Sequence, residues 1–315
     1  MNPAFSVIFL TTLIGAGQGL FVALYVSELL AAADLGIEGI DSGYFAAGSA
    51  VSLAFLVAGL FASFFHLGRP ERAWRAIAMW RTSWLSRECI ALPAFMATVF
   101  GYGALHHFAG AGPLTLALGA VGVVLCGVLF LCTGMIYACI RFLQEWASPL
   151  TVVNFALLGL ASGFTLAAAY AGIAAPALVT TFGTMALVLG IAGLAGRTMS
   201  LQRNARLKPK STVQSATGLR HPKVVQKAQG ATGGSYNTRQ YFHGASAALL
   251  KSVKALFLLL AFALPLPLIA IALAFGLPML LLLAFVLQFA GLLAERWFFF
   301  AQANHPQNLY YQYVS

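Results

Sequence analysis

The chain has 315 residues, of which 60% are hydrophobic and only 8% charged, a composition that excludes an ordinary soluble domain. Its formal charge of +10 raises the question of nucleic acid. The basic residues, however, sit in short loops between long apolar runs, where they set membrane orientation, so nucleic acid is set aside as a partner. Thirty-one glycines among Leu, Ala, Val and Phe suit transmembrane helices whose backbones approach closely.

Apolar runs long enough to cross about 30 Å of hydrocarbon fall near 5–33, 43–66, 89–107, 113–140, 151–172, 175–196, 247–275 and 278–302. The first lacks a basic leader and an A-x-A cleavage site, so it is expected to be a retained span. The expected fold is all-α and integral to the membrane, with eight transmembrane helices in two four-helix halves. Residues 1–196 hold the first six spans, 197–246 form a basic loop read as the join between the halves, 247–302 hold the last two spans, and 303–315 form a tail.

Alternation assigns both chain ends and residues 67–88, 141–150 and 197–246 to one face. All 18 Lys and Arg fall there: five in 67–88, Arg141, nine from Arg197 to Arg239, then Lys251, Lys254 and Arg296. The other face carries Asp34, Glu38, Asp41, His106 and His107. The positive-inside rule therefore predicts that the basic face and both termini are cytoplasmic. The long loop is too basic for inert filler, and reads either as a linker on anionic headgroups or as a docking surface for a soluble partner. Cys89, Cys126, Cys132 and Cys139 lack C-x-x-C spacing and are expected to be reduced thiols facing lipid or core.

A b-type haem needs paired intramembrane histidines. His66 ends a run, His106 and His107 lie at the acidic face, His221 and His243 in the long loop and His305 in the tail, so no haem is expected. The densest constellation is HLGRPERAWRAIAMWRTSWLSRE, residues 66–88, in which Trp74, Trp80 and Trp84 alternate with Arg75, Arg81 and Arg87. It reads as a short interfacial helix or a re-entrant loop, with His66 and Glu88 at the same face. A quinone site needs hydrogen-bond partners for two carbonyls and a titratable route to water, which His66 and Glu88 supply. Each residue also has a structural reading: an acid near a helix N-terminus, an aromatic belt, positive-inside arginines, and Gly68 and Pro70 as a helix stop. On residue types alone the two readings balance.

HLGRPERAWRA followed by WRTSWLSRE, with the N-terminal FSVIFLTTLIGAGQGL, resembles the DMSO reductase anchor subunit family. The resemblance implies a bacterial inner-membrane anchor that is not itself the molybdenum catalyst. Its partners would be a molybdopterin catalytic subunit and an iron–sulfur subunit, and its exchangeable substrate ubiquinone or menaquinone. The family's quinone-site histidine and glutamate fall on His66 and Glu88; Arg81, Trp84 and Arg87 would complete the site, the arginines stabilising charge on the reduced quinone. Arg69, Arg75, His221, Arg239 and His243 are the expected partner-docking residues. The segments KSTVQSATGLRHPKVVQKAQGATGGSYNTRQYFHG and AERWFFFAQANHPQNLYYQ are similar to the branch found with cytoplasmic sulfite-oxidising quinone reductases. A quinol-oxidising anchor of a DMSO-type reductase is the alternative within the family. A secondary transporter is the alternative outside it, though Glu28, Glu88 and Glu295 lie near the ends of their runs and not at the midplane. Glu295 and Arg296, adjacent on a helix and about 100° apart, are expected to find separate partners.

Overall fold

The computed structural model describes residues 1–34, 40–228 and 240–311, and its long elements are all helical. Among the described residues, eight helices have the length and apolarity of membrane spans: α1 (Phe5–Ala32), α2 (Ser42–His66), α3 (Trp84–Ala109), α4 (Pro113–Ala138), α5 (Pro149–Ala174), α6 (Pro176–Ala205), α7 (Ala247–Phe275) and α8 (Met279–Ala301). Local chemistry sets several of their starts. The Ser83, Ser148 and Ser246 hydroxyls accept from the backbone amides of Ser86, Leu150 and Leu249 at the first turns of α3, α5 and α7. Pro113 and Pro149 occupy first helical positions, where the missing N–H costs nothing. α7 ends on Gly276, whose φ of +65° is the left-handed conformation that glycine adopts without strain.

The helices form two rings of four. α1 packs on α2, α2 on α3, α3 on α4, and α4 back on α1; α5 through α8 repeat that closure, with α8 returning to α5. The expected two halves are therefore residues 5–138 and 149–301, joined through the turn at 139–148. The position expected for the join is corrected: the long basic segment lies between α6 and α7, inside the second half. It is also shorter than its charge suggested, because α6 continues to Ala205 and takes Arg197 and Arg203 into the helix.

The halves meet where α1 and α5, the two most buried spans, cross. Gly15 and Gly19 face Gly159 and Gly163: a Cβ on Gly19 would lie 2.7 Å from the Gly159 carbonyl oxygen and 2.8 Å from the Gly163 Cα. Two small-x-x-x-small motifs thus bring backbones into contact, which supplies the close packing that replaces the hydrophobic effect within lipid. In α7 a π-helical turn at Leu259–Ala263 precedes Pro265, and Gly291 of α8 lies against the Leu260 and Ala261 backbone. The widened turn accommodates a proline ring that an unbroken α-helix would exclude.

A leucine at Gly163 should force α1 from α5, whereas one at Gly127, which has open space before it, should not. In detergent, Gly163→Leu is expected to lower the thermal midpoint by roughly 5–10 °C, with Gly127→Leu near wild type. Equal midpoints would show that the seam tolerates separation.

Candidate functional site

Because Ser83 caps α3, that helix starts at Trp84, five residues before its apolar run, and Glu88 occupies its second turn. From there the carboxylate turns inward. The Thr133 hydroxyl of α4 donates to Glu88 Oε1. Glu88 lines a cavity of about 10 Å³ with Thr11, Gln18, Phe130, Thr133 and Phe155, contributed by α1, α4 and α5, room for about one water molecule. The acid of the first half therefore sits at the seam with the second.

His66 ends the 3-10 turn Phe64–His66, which packs against α1; its ring is exposed and has no hydrogen bond among the described residues. His66 and Glu88 lie at the same end of the bundle, as expected, but the fold does not bring them into contact. Between them, Pro70–Ile77 forms a short 3-10 helix at the surface, which favours the interfacial helix over the re-entrant loop. Trp74 and Trp80 are 68% and 52% exposed. Arg75 and Arg81 lie 5.6 Å and 5.3 Å from the rings of Trp74 and Trp80. Arg87 is committed to structure: it donates from Nε to the Trp80 carbonyl at 2.9 Å and from Nη2 to that of Arg81 at 2.8 Å, with its guanidinium 4.3 Å from the Trp84 ring. It ties the connecting turn to α3.

A second constellation lies across the seam. Arg197 Nε is 2.7 Å from Glu295 Oε1, and Arg296 Nη1 is 3.2 Å from Glu295 Oε2. Two sequence expectations are corrected here. Arg197 is a buried helical residue and not part of a basic loop, and Glu295 and Arg296 share a cluster because the long guanidinium reaches back to its neighbour. The Asn154 amide donates to Ser200 Oγ at 2.8 Å beside them, and these groups line another cavity of about 10 Å³. The visible signal was an acid and a base inside the last apolar run, costly in lipid unless paired; Arg197 was hidden by the apparent end of its run.

At the opposite end, Glu28 Oε2 accepts from the Tyr102 hydroxyl at 2.8 Å, Oε1 accepts from Thr115, and His106 Nε2 lies 3.4 Å from Oε1. His106, expected at a polar face, is 1% exposed. The cluster ties α1 to α3 and α4. No other histidine completes an intramembrane pair with it among the described residues, and no group of three or more His, Cys, Asp or Glu suited to a metal occurs there. The cysteines are unpaired, with Cys126 and Cys132 buried.

The basic end carries a built platform. Asn2 N donates to the Gln240 carbonyl at 3.0 Å, Asn308 Nδ2 to that of Tyr241 at 2.7 Å, and the Tyr241 ring stacks on His305 with centroids 3.7 Å apart. Arg203 Nη2 binds the carbonyls of Gln144 and Ala147 at 3.0 Å and 3.2 Å. Of the expected docking residues, Arg69 and Arg75 are exposed near the 3-10 helix, and His221 is exposed after a short helix at Val213–Thr217. His243 is half-buried and accepts from Ala245 N at 3.0 Å; burial and the nearby amino group of Met1 hold its pKa below the usual imidazole range. Arg239 lies outside the described residues.

The family model for the DMSO reductase anchor subunit (DmsC) matches residues 1–311. The C subunit of the sulfite dehydrogenase of Allochromatium vinosum is 57% identical over 326 aligned positions, which cover 100% of both chains. With eight helices of spanning length in the same chain that carries HLGRPERAWRA and WRTSWLSRE, the protein belongs to the DMSO reductase anchor subunit family.

Proposed function

We propose that this membrane anchor holds the quinone site of its complex and passes electrons between an iron–sulfur subunit and the quinone pool, with molybdopterin chemistry on a further partner subunit. The observation that carries the reading is the placement of Glu88: an inward-turned carboxylate at one end of the bundle, next to a tryptophan-rich surface segment that begins at an exposed imidazole. The residues fit a quinone by type. The cavity beside Glu88, about 10 Å³, is too small for the ring, so the ring would enter from the lipid side, between the Phe64–His66 turn and the start of α3.

In this reading His66 donates a hydrogen bond to one quinone oxygen. Glu88 holds and passes a proton, with Thr133 fixing the orientation of its carboxylate. Trp80, Trp84 and the Arg87-braced turn exclude water from the lipid side and hold the entrance. Arg81 is the exposed cation within that turn and can complement charge on the reduced ring. Electrons come from the partner's iron–sulfur clusters, bound at the platform of the basic end, where Arg69, Arg75, His221, Arg239 and His243 would make contact. The similarity to the C subunit of a sulfite dehydrogenase favours flow from sulfite to ubiquinone or menaquinone. The basic end would face the cytoplasm of a bacterial inner membrane.

Glu88→Gln keeps shape and hydrogen bonding but cannot take up a proton. It and His66→Ala are each expected to lower quinone-coupled turnover about 100-fold or more, while a soluble dye is still turned over by the assembled complex. Near-normal quinone activity in both variants would make the 66–88 segment structural. Cysteine labelling should reach positions 75 and 210 only from the cytoplasmic side; labelling of both from outside would reverse the orientation.

A further inference from the structure

Glu88 has no cationic partner among the described residues. Its hydrogen bond is to Thr133, and Arg87, its neighbour in sequence, turns outward to backbone carbonyls. Across the seam the imbalance is opposite: Arg197, Glu295 and Arg296 are each no more than 4% exposed, and Glu145, the other carboxylate lining their cavity, accepts from Asn304 Nδ2 and faces the Met1 amino group, so the three buried groups by themselves carry two cations and one anion. An unbalanced buried charge is costly unless a counter-charge lies within reach. One ring is common to both. Phe155 borders both the Glu88 cavity and the cavity of the cluster, and the Arg296 guanidinium lies 3.7 Å from its centroid. Tyr137 stacks on Phe155 at 5.4 Å and 13° and interacts electrostatically with both Glu88 and Arg296. Glu88 ionised and the cluster together sum to zero.

We propose that Arg197, Glu295 and Arg296 act as one buried counter-charge for Glu88, so that the second four-helix half sets the pH range over which the quinone site in the first half exchanges protons. The inference rests on the quinone reading above. Reduction of one quinone to quinol consumes two electrons, supplied by the partner's iron–sulfur cluster, and two protons, with two O–H bonds formed on the ring oxygens. When Glu88 gives up a proton to the ring, the four charges balance; when it takes one up from the aqueous side, the cluster is again in excess by one. The cluster therefore favours proton release toward the ring. Other titratable or charged groups at this end are His66 at the end of α2, Arg87 and Cys89 on α3, Cys132 and Tyr137 on α4, and Glu145 in the turn before α5, which lines the cavity of the cluster and faces the Met1 amino group. α1 and α5 present the neutral Thr11, Gln18 and Phe155 to its cavity. Arg296 is a positioning residue here, acting through Glu88.

The test is a charge series in the assembled complex, read in two ways. One is the pH profile of sulfite-driven decylubiquinone reduction. The other is the pH titration of the infrared carboxyl band that Glu88→Gln removes, which needs no turnover. Arg296→Gln leaves a balanced Arg197–Glu295 pair and should move both inflections to higher pH by about one unit. Glu295→Gln should move them to lower pH, and Arg296→Lys, which keeps the charge, should leave them in place. Inflections unmoved across the series, or moved as far by Arg296→Lys as by Arg296→Gln, would overturn the counter-charge. If Glu88→Gln leaves turnover normal, the quinone reading itself falls and this inference with it. If Glu88→Gln abolishes turnover while the band stays fixed in the charge variants, only the counter-charge falls.

Discussion

The contact between α1 and α5 fixes everything else in the molecule. Gly15 and Gly19 against Gly159 and Gly163 let two helix backbones touch, so the two rings of four share a seam and not a lipid-filled gap. Because helices gain no hydrophobic driving force from each other in lipid, such packing has to come from shape. The same crossing aligns the basic end of α1 with that of α5, which brings Thr11 and Phe155 to the one cavity that Glu88 lines. A looser seam would leave the carboxylate open to lipid and the Arg296 side chain without the ring it rests on.

The carboxylates that turn into the bundle obey a second constraint: each is paired or hydrogen-bonded, and each lies toward an end of its span. Glu28 is held by Tyr102 and Thr115 at one end; Glu88 by Thr133, and Glu295 by two arginines, at the other. Truncating one member of a buried pair costs about 3–5 kcal/mol, because the remaining charge is stranded. The Glu28 cluster joins three helices of one half and has the geometry of a structural clasp. The groups at the basic end differ in being divided across the seam, with the acid in one half and the excess positive charge in the other. On the counter-charge proposal, that division couples the halves electrostatically as well as sterically.

Much of this was legible in the sequence. Eight apolar runs and an unbroken partition of Lys and Arg gave the number of spans, and the HLGRPERAWRA and WRTSWLSRE stretches pointed to the family and to Glu88. Side-chain direction was not legible. Arg87 was expected as a site cation, and the sequence did not show that its guanidinium also closes a turn by binding two backbone carbonyls. Arg197 looked like loop charge because an apolar run ends near it, although the helix does not. Glu295 and Arg296 looked independent on helical spacing alone, which neglects the reach of a guanidinium. The division into halves was expected, but its join was misplaced at the most polar segment; the true join at 139–148 is short and held by Trp146, whose indole donates to the Phe299 carbonyl at 3.0 Å.

Family membership establishes a membrane anchor, and the inward turn of Glu88 at the end of the bundle that also carries the tryptophan-bearing segment is what favours a quinone site within it. The most direct measurement is photolabelling of the membrane-embedded complex with an azido-quinone, followed by mapping of the labelled peptides. Label concentrated between Phe64 and Glu88 and on the first turns of α1, and displaced by excess decylubiquinone, is the predicted result. Displaceable label confined to the acidic end, or to partner subunits alone, would contradict it.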